Sequence, residues 1–172
     1  MPLNKDQIQS INIKDTVYLT GKLYTGRDAA HKRMCELIKS GKELPFDIKG
    51  QGIYYTGPCP AKGGMAIGSC GPTTSYRMDS FTFELLDAGL KVMIGKGDRS
   101  QKLIEYMKKS GAVYLAATGG AGALLAGCVT KSKVIAFDDL LSEAVREIEV
   151  NEMPLICTID SKGNSLYRQV KL

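Results

Sequence analysis

The chain has no tryptophan, one histidine and no C-x-x-C pair. Each absence removes a class of function. The five cysteines (Cys35, Cys59, Cys70, Cys128 and Cys157) are odd in number and widely spread. With a single histidine they form no self-contained zinc or iron–sulfur site. They are expected as reduced, mostly buried thiols. A P-loop is absent. No apolar run is long enough to cross a bilayer. The segment Met1–Asp6 lacks the apolar core of a signal peptide, so a cytoplasmic location is expected. The net charge is +5, but lysine and arginine are scattered and no basic run is interleaved with aromatics. Nucleic acid is therefore not the expected partner. A positive balance suits the steering of a small anion.

What is present is ordinary globular material. The 172 residues are 44% apolar and 24% charged, which fits one domain, residues 1–172, with a real core. Residues 15–24 alternate and are rich in β-formers, so they predict a strand. A helix is expected from Arg27 to Lys39, capped by Thr25 and stopped by Gly41, with Ala30, Met34, Leu37 and Ile38 on its apolar side. Further strands are expected at 51–55, 65–67, 91–94, 112–117, 133–137 and 154–160. Helices are expected at 74–86, in one piece or broken near Ser80, and at 99–109. A short helix opens at Thr118–Gly122, and Lys162-Gly163-Asn164 is a turn. Alternating strands and helices predict an α/β fold with a parallel or mixed sheet.

The densest chemistry lies in Gly71-Pro72-Thr73-Thr74-Ser75-Tyr76-Arg77-Met78-Asp79. Glycine permits a tight turn, and proline suits the first position of a helix. The helix N-terminus expected there would attract carboxylate or phosphate. Thr73 and Arg77 would share a helix face, and a guanidinium fork matches a carboxylate in bidentate fashion. Arg27 and His31 form a second pair, one helical turn apart just after a strand. The histidine's ordinary pKa suits proton transfer near neutrality. A third site is Gly95-Lys96-Gly97-Asp98-Arg99, where flanking glycines allow close approach and Lys96 supplies a point charge. Three junctions with cationic or hydroxyl groups suit a substrate with more than one carboxylate. Each feature taken singly also fits a helix cap, a surface ion pair or a solvated turn.

Thr118-Gly119-Gly120-Ala121-Gly122 follows a strand and resembles a dinucleotide loop. The fingerprint fails, because Leu125 occupies the position of its third glycine. Tight helix packing or a backbone-lined pocket is the better account of these glycines. A stand-alone dicarboxylate- or nucleotide-binding module, and a purely structural subunit, stand as alternatives to an enzyme.

Thr25-Gly26-Arg27-Asp28-Ala29-Ala30-His31, Gly57-Pro58, Ile67-Gly68-Ser69 leading into Gly71–Asp79, and Gly95-Lys96-Gly97 resemble the β subunit of class I fumarate hydratase. They are also similar to the β subunit of L(+)-tartrate dehydratase. Glu147–Val150 and Ile159–Asn164 fit as well, so the resemblance spans nearly the whole chain. It implies a swivelling β/β/α fold, a mixed sheet flanked by helices, and a hydro-lyase interconverting fumarate and (S)-malate. Tartrate dehydration to oxaloacetate is the runner-up. It further implies a [4Fe–4S] cluster on a partner α subunit rather than on this chain, and a homo-oligomeric or α2β2 assembly. By the same resemblance Arg27, Arg77 and Lys96 match substrate-binding cations, His31 an active-site histidine and Thr73 a catalytic base. The Arg99-Ser100 pair after Lys96 inclines the resemblance toward fumarase.

Overall fold

The computed structural model describes residues 4–169; Met1–Leu3, and with them part of the segment examined for a leader, lie outside the described residues, as does the end of the short C-terminal tail. The elements run α1 (Lys5–Ser10), β1 (Thr16–Thr25), α2 (Asp28–Lys39), β2 (Gly52–Tyr54), a 3₁₀ turn (Ser75–Met78), α3 (Asp79–Asp87), β3 (Val92–Gly95), α4 (Gln101–Ser110), β4 (Val113–Ala116), α5 (Gly122–Gly127), β5 (Val129–Ala136), a second 3₁₀ segment (Asp138–Glu143), β6 (Val145–Ile159) and α6 (Leu166–Gln169). The expected α/β class with a mixed sheet holds.

The sheet order is β1-β2-β3-β4-β6-β5, and β1 also pairs with β6. That extra pairing closes a barrel-like ring. β1, β2, β3 and β4 run parallel to one another, and β6 returns antiparallel to β1, β4 and β5. Strand alternation sorts side chains into two cores. Leu19, Leu23, Tyr54, Val92, Ile94, Val113 and Leu115 belong to one. Tyr24, Ile53, Met93 and Tyr114, their strand neighbours, belong to the other, together with Met34, Met78, Leu85, Leu103 and Met107 from the helices.

Several local expectations shift. Thr25 does not cap α2, because its hydroxyl accepts the Arg146 amide proton at 3.2 Å. The N-cap residue is Arg27, in extended backbone and without a side-chain cap bond. The buried face of α2 is Ala30, His31, Met34 and Cys35, with Leu37 and Ile38 only half-buried. Residues 65–67 form no strand; they lie in a loop closed on itself by Cys59 N to Ser69 O (2.9 Å) and Gly68 N to Cys59 O (3.1 Å). The expected strand 154–160 is the far end of the long β6. Pro154 lies inside β6, opposite Tyr18 of β1. It stands between the stretch paired to β5, up to Val150, and the stretch paired to β4, from Ile156, where a missing N–H is tolerated.

Candidate active site

The largest correction concerns Gly71–Asp79. Pro72 does not start a helix. Residues 71–74 are extended, and the 3₁₀ turn begins only at Ser75. The segment lies between the continuations of β2 and β3: Pro72 bridges Thr56 and Thr74 bridges Lys96. The Thr73 amide donates to Tyr55 O at 2.8 Å, and Thr56 Oγ1 donates to Gly71 O at 2.8 Å. The Tyr54 hydroxyl donates to Cys70 O. These long-range backbone partners outcompete the local helix start that proline and glycine suggested. Thr73 and Arg77 therefore share no helix face, and no free helix N-terminus is offered here.

The residues converge by another route. β1, β2 and β3 are parallel, so their carboxyl ends lie at one edge of the sheet, where ligands of open α/β sheets bind. Arg27 follows β1, Thr73 is hydrogen-bonded beyond β2, and Lys96 follows β3. The Lys96 amide approaches Thr73 O at 3.4 Å, and Lys96 O accepts from Ser75 N at 2.9 Å. Arg77 grips Asp28 with both prongs, Nε to Oδ1 at 3.0 Å and Nη2 to Oδ2 at 2.8 Å. Arg27 Nε stands 4.0 Å from the same carboxylate, and its Nη2 is 3.5 Å from Glu143 Oε1. Glu143 Oε2 also accepts the Ala29 amide proton at 3.0 Å. Asp28 thus links the two arginines, and Glu143 supplies the cap that α2 lacks from its own sequence.

Fit is tight around Arg27. A Cβ on Gly57 would stand 2.9 Å from Arg27 Nη1 and 3.2 Å from Ser142 O. The absence of a side chain there lets the guanidinium lie across the loop. Lys96 is exposed and forms no ion pair among the described residues. The cluster contains three cations and two carboxylates, so it keeps a positive excess.

His31 differs from its expectation. It is fully buried, edge-on to the Tyr55 ring with centroids 5.1 Å apart. Burial is the main reason its pKa is pushed down to about 4, and the nearby Arg99 charge adds to this; the bond to the Arg27 carbonyl works in the opposite direction. The imidazole is therefore neutral near pH 7 and is no proton reservoir there. Its Nδ1 lies 2.9 Å from Arg27 O. A carbonyl can only accept, so Nδ1 carries the proton and Nε2 presents a lone pair. That Nε2 is buried and has no hydrogen-bond partner among the described residues.

Arg99 lies beneath the Lys96 loop and was not expected as a structural residue. Its side chain is wholly buried. Nε donates to Asp79 Oδ1 at 2.6 Å and Nη2 to Thr82 Oγ1 at 3.1 Å. The guanidinium sits over the Tyr55 and Tyr114 rings, at 5.3 and 5.0 Å. Asp79 Oδ2 also accepts the Ser100 amide at 2.7 Å. Of the Arg-Ser pair that suggested fumarase, Arg99 is thus a buried fixture of the loop, while Ser100 is half-buried and caps α4. Ser75 Oγ, 2.9 Å from the Tyr114 hydroxyl, accepts the Lys96 amide at 3.1 Å. A Cβ on Gly95 would fall 1.9 Å from that oxygen.

Among the described residues no group of three or more His, Cys, Asp or Glu side chains could hold a metal ion. The cysteines are separate free thiols. Burial pushes Cys35 and Cys70 up to about 11 and Cys157 to about 12. Among the described residues these thiols form no cradle for an iron–sulfur cluster. Gly122 serves packing: its Cβ would meet Ser69 Oγ at 2.6 Å and Gly71 N at 2.8 Å, and its carbonyl accepts from Cys70 N at 3.1 Å. Among the described residues no helix is long and apolar enough to cross a membrane.

Two arginines and a lysine lie at the carboxyl edge of a parallel set of strands, over a buried polar layer, in an α/β domain. The profile of the Fumarase C-terminus family matches residues 1–170, and the chain belongs to that family. It is 41% identical to a protein assigned as L(+)-tartrate dehydratase subunit beta from Methanocaldococcus jannaschii, over 98% of this chain and 89% of that one. It is 40% identical to the anaerobic class I fumarate hydratase of Escherichia coli over 95% of this chain but 30% of that protein. With the mitochondrial fumarate hydratase 1 of Leishmania major it shares 37% over 99% of this chain and 31% of that one. These relatives are hydro-lyases. The chain spans about a third of the fumarate hydratases and most of the tartrate dehydratase subunit.

Proposed function

We propose that this chain is the β component of a hydro-lyase that adds water reversibly across the double bond of fumarate to give (S)-malate. The observation that carries the reading is the convergence of Arg27, Arg77 and Lys96 on one sheet edge. Two carboxylates of a four-carbon diacid need cations at separated points, and a guanidinium fork and an ammonium supply both kinds. Asp28 and Glu143 hold the arginine forks in place before substrate arrives, which lowers the ordering cost of binding. Thr73 is the hydroxyl at the same edge and the group proposed to relay a proton. A threonine is a weak base unaided, so it works with a group from a partner chain.

His31 is assigned a positioning role. Its Nδ1 proton fixes the Arg27 carbonyl, and its buried ring sets the start of α2. The cluster implied by the resemblance, a Lewis acid when bound, belongs to the partner α subunit. Dehydration of L(+)-tartrate is the second reading, favoured by the similar-sized Methanocaldococcus relative.

The test is anaerobic mixing of this chain with the chain that supplies the rest of the hydro-lyase, assayed on fumarate, (S)-malate and L(+)-tartrate. Turnover of fumarate exceeding tartrate, with none from this chain alone, is the expected result. Turnover of tartrate alone selects the second reading. Tight binding of NAD to the isolated chain, with no turnover by the mixture, contradicts both.

A further inference from the structure

Lys96 follows β3, at the candidate site, while Lys91 precedes it, at the amino edge of the same parallel strands. That opposite edge carries an open cavity of about 770 Å³, lined by Lys5, Lys91, Lys108, Lys109 and Lys162 together with Ser161. The lysines come from four places in the chain: α1, the residue before β3, the last turn of α4 and the turn after β6. No acidic, aromatic or apolar side chain is part of the lining. Asp160, next to Ser161, is buried and turned into its own loop, where it accepts from Lys162 N, Asn164 N and Asn164 Nδ2 at 3.0, 3.0 and 2.8 Å. Two of the ammonium groups are held in place. Lys91 Nζ donates to Ser110 O, and Lys162 Nζ donates to Asn12 Oδ1 at 2.9 Å, which leaves further N–H donors on each. The stem of Lys108 lies on Gly163, where a Cβ would stand 3.1 Å from Lys108 Cβ. Lys5, Lys108 and Lys109 are exposed and form no ion pair among the described residues. Ser161 is only 8% exposed, and its hydroxyl has no hydrogen-bond partner among the described residues.

The carbonyl end of α4 attracts cations, which accounts for Lys91, Lys108 and Lys109. It does not account for Lys5 and Lys162, brought to the same cavity by other elements, nor for a buried serine hydroxyl left without a partner. Like charges gathered without an offsetting carboxylate repel one another, and a bound polyanion relieves that repulsion. We infer that this cavity is a binding site for a di- or triphosphate group, either as free pyrophosphate or as the phosphate tail of a nucleotide. Ammonium groups are point charges that meet phosphate oxygens from several directions, whereas no guanidinium fork is present to match a planar carboxylate. Five of them exceed the need of one phosphoryl group. With no aromatic surface on which a base could stack, recognition ends at the phosphates. The inference does not depend on the hydro-lyase reading.

The test is calorimetry on the full chain with pyrophosphate, ADP, orthophosphate and a single-stranded RNA oligonucleotide. Pyrophosphate and ADP are expected to bind with similar affinity, orthophosphate about tenfold more weakly or worse, and all of them less tightly as salt is raised. ADP binding much more tightly than pyrophosphate would identify the nucleotide as the source of the phosphates. The double variant Lys108→Ala/Lys109→Ala is expected to weaken pyrophosphate by about tenfold or more, and Ser161→Ala by roughly fivefold. Both lysines are exposed, so the ligand-free thermal midpoint should stay unchanged, while the rise in midpoint that pyrophosphate gives the wild type is lost. Lys131→Ala/Lys133→Ala, which removes the same charge from β5 outside the cavity, is the control and should bind like wild type. Absence of pyrophosphate binding by the wild-type chain overturns the inference, as does equal weakening by the control. Weakening by Lys96→Ala but not by Lys108→Ala/Lys109→Ala would put the anion at the carboxyl edge and also overturn it. RNA bound through these lysines more tightly than pyrophosphate would overturn the choice of ligand.

Discussion

Arg77 and Asp79 are two positions apart and do opposite work. Arg77 is exposed and bound bidentately to Asp28 at the sheet edge. Its removal is expected to leave stability within about 1 kcal/mol, as for most exposed ion pairs. It should lower kcat/KM of the assembled enzyme roughly 10- to 100-fold, the worth of a charged hydrogen bond. Denaturant unfolding and steady-state kinetics on Arg77→Ala check both halves. His31 gives a pH test. Its pKa of about 4 lies below the ordinary 6.5, so between those values the unfolded chain binds more protons than the folded one. Stability should therefore be lost as pH falls through that window, by about 3 kcal/mol for this group when complete, and be unaffected by it above pH 7. Unfolding of wild type and His31→Phe at pH 7, 5.5 and 4 should show a shallower acid loss in the variant. The cation positions were legible because arginine and lysine stood at strand ends. The pairing of Arg27 with Glu143 was not, since Glu143, which also accepts from Ala29, stands 114 positions from Ala29. Nor does a residue type announce its burial, which is why His31 read as a near-neutral acid–base group.

At the scale of elements, the Asp79–Arg99 pair locks α3 to the loop that presents Lys96. Removing one partner leaves an uncompensated buried charge, so Asp79→Ala should cost about 3–5 kcal/mol of stability. Gly95→Ala should also unfold or displace this loop, because the new methyl would occupy the place of Ser75 Oγ. Circular dichroism melts of both variants check this. If Asp79→Ala melts like wild type, the lock is not needed. Most strands and helices were readable from periodicity and glycine stops. The failures share one cause. Residues 71–74 and the Thr25 side chain are governed by backbone partners far away in sequence, as is the side of β6 that pairs with β1, and neither proline, glycine nor a cap propensity reports those.

On the scale of the whole molecule, the closed sheet gathers the carboxyl ends of β1, β2 and β3 on one edge. On the proposed reading this chain is half of a catalytic centre, with carboxylate grip here and the remaining chemistry on a partner chain. Class membership is plain from the family match over residues 1–170, while the choice between fumarate and tartrate depends on side chains that meet the distal substrate atoms. The most direct test is fumarate hydration by the assembled enzyme carrying Arg27→Ala, Arg77→Ala or Lys96→Ala, measured as kcat/KM at matched assembly. The account predicts a loss of roughly tenfold or more in each variant, with binding of the larger chain kept. Full activity in all three would contradict it.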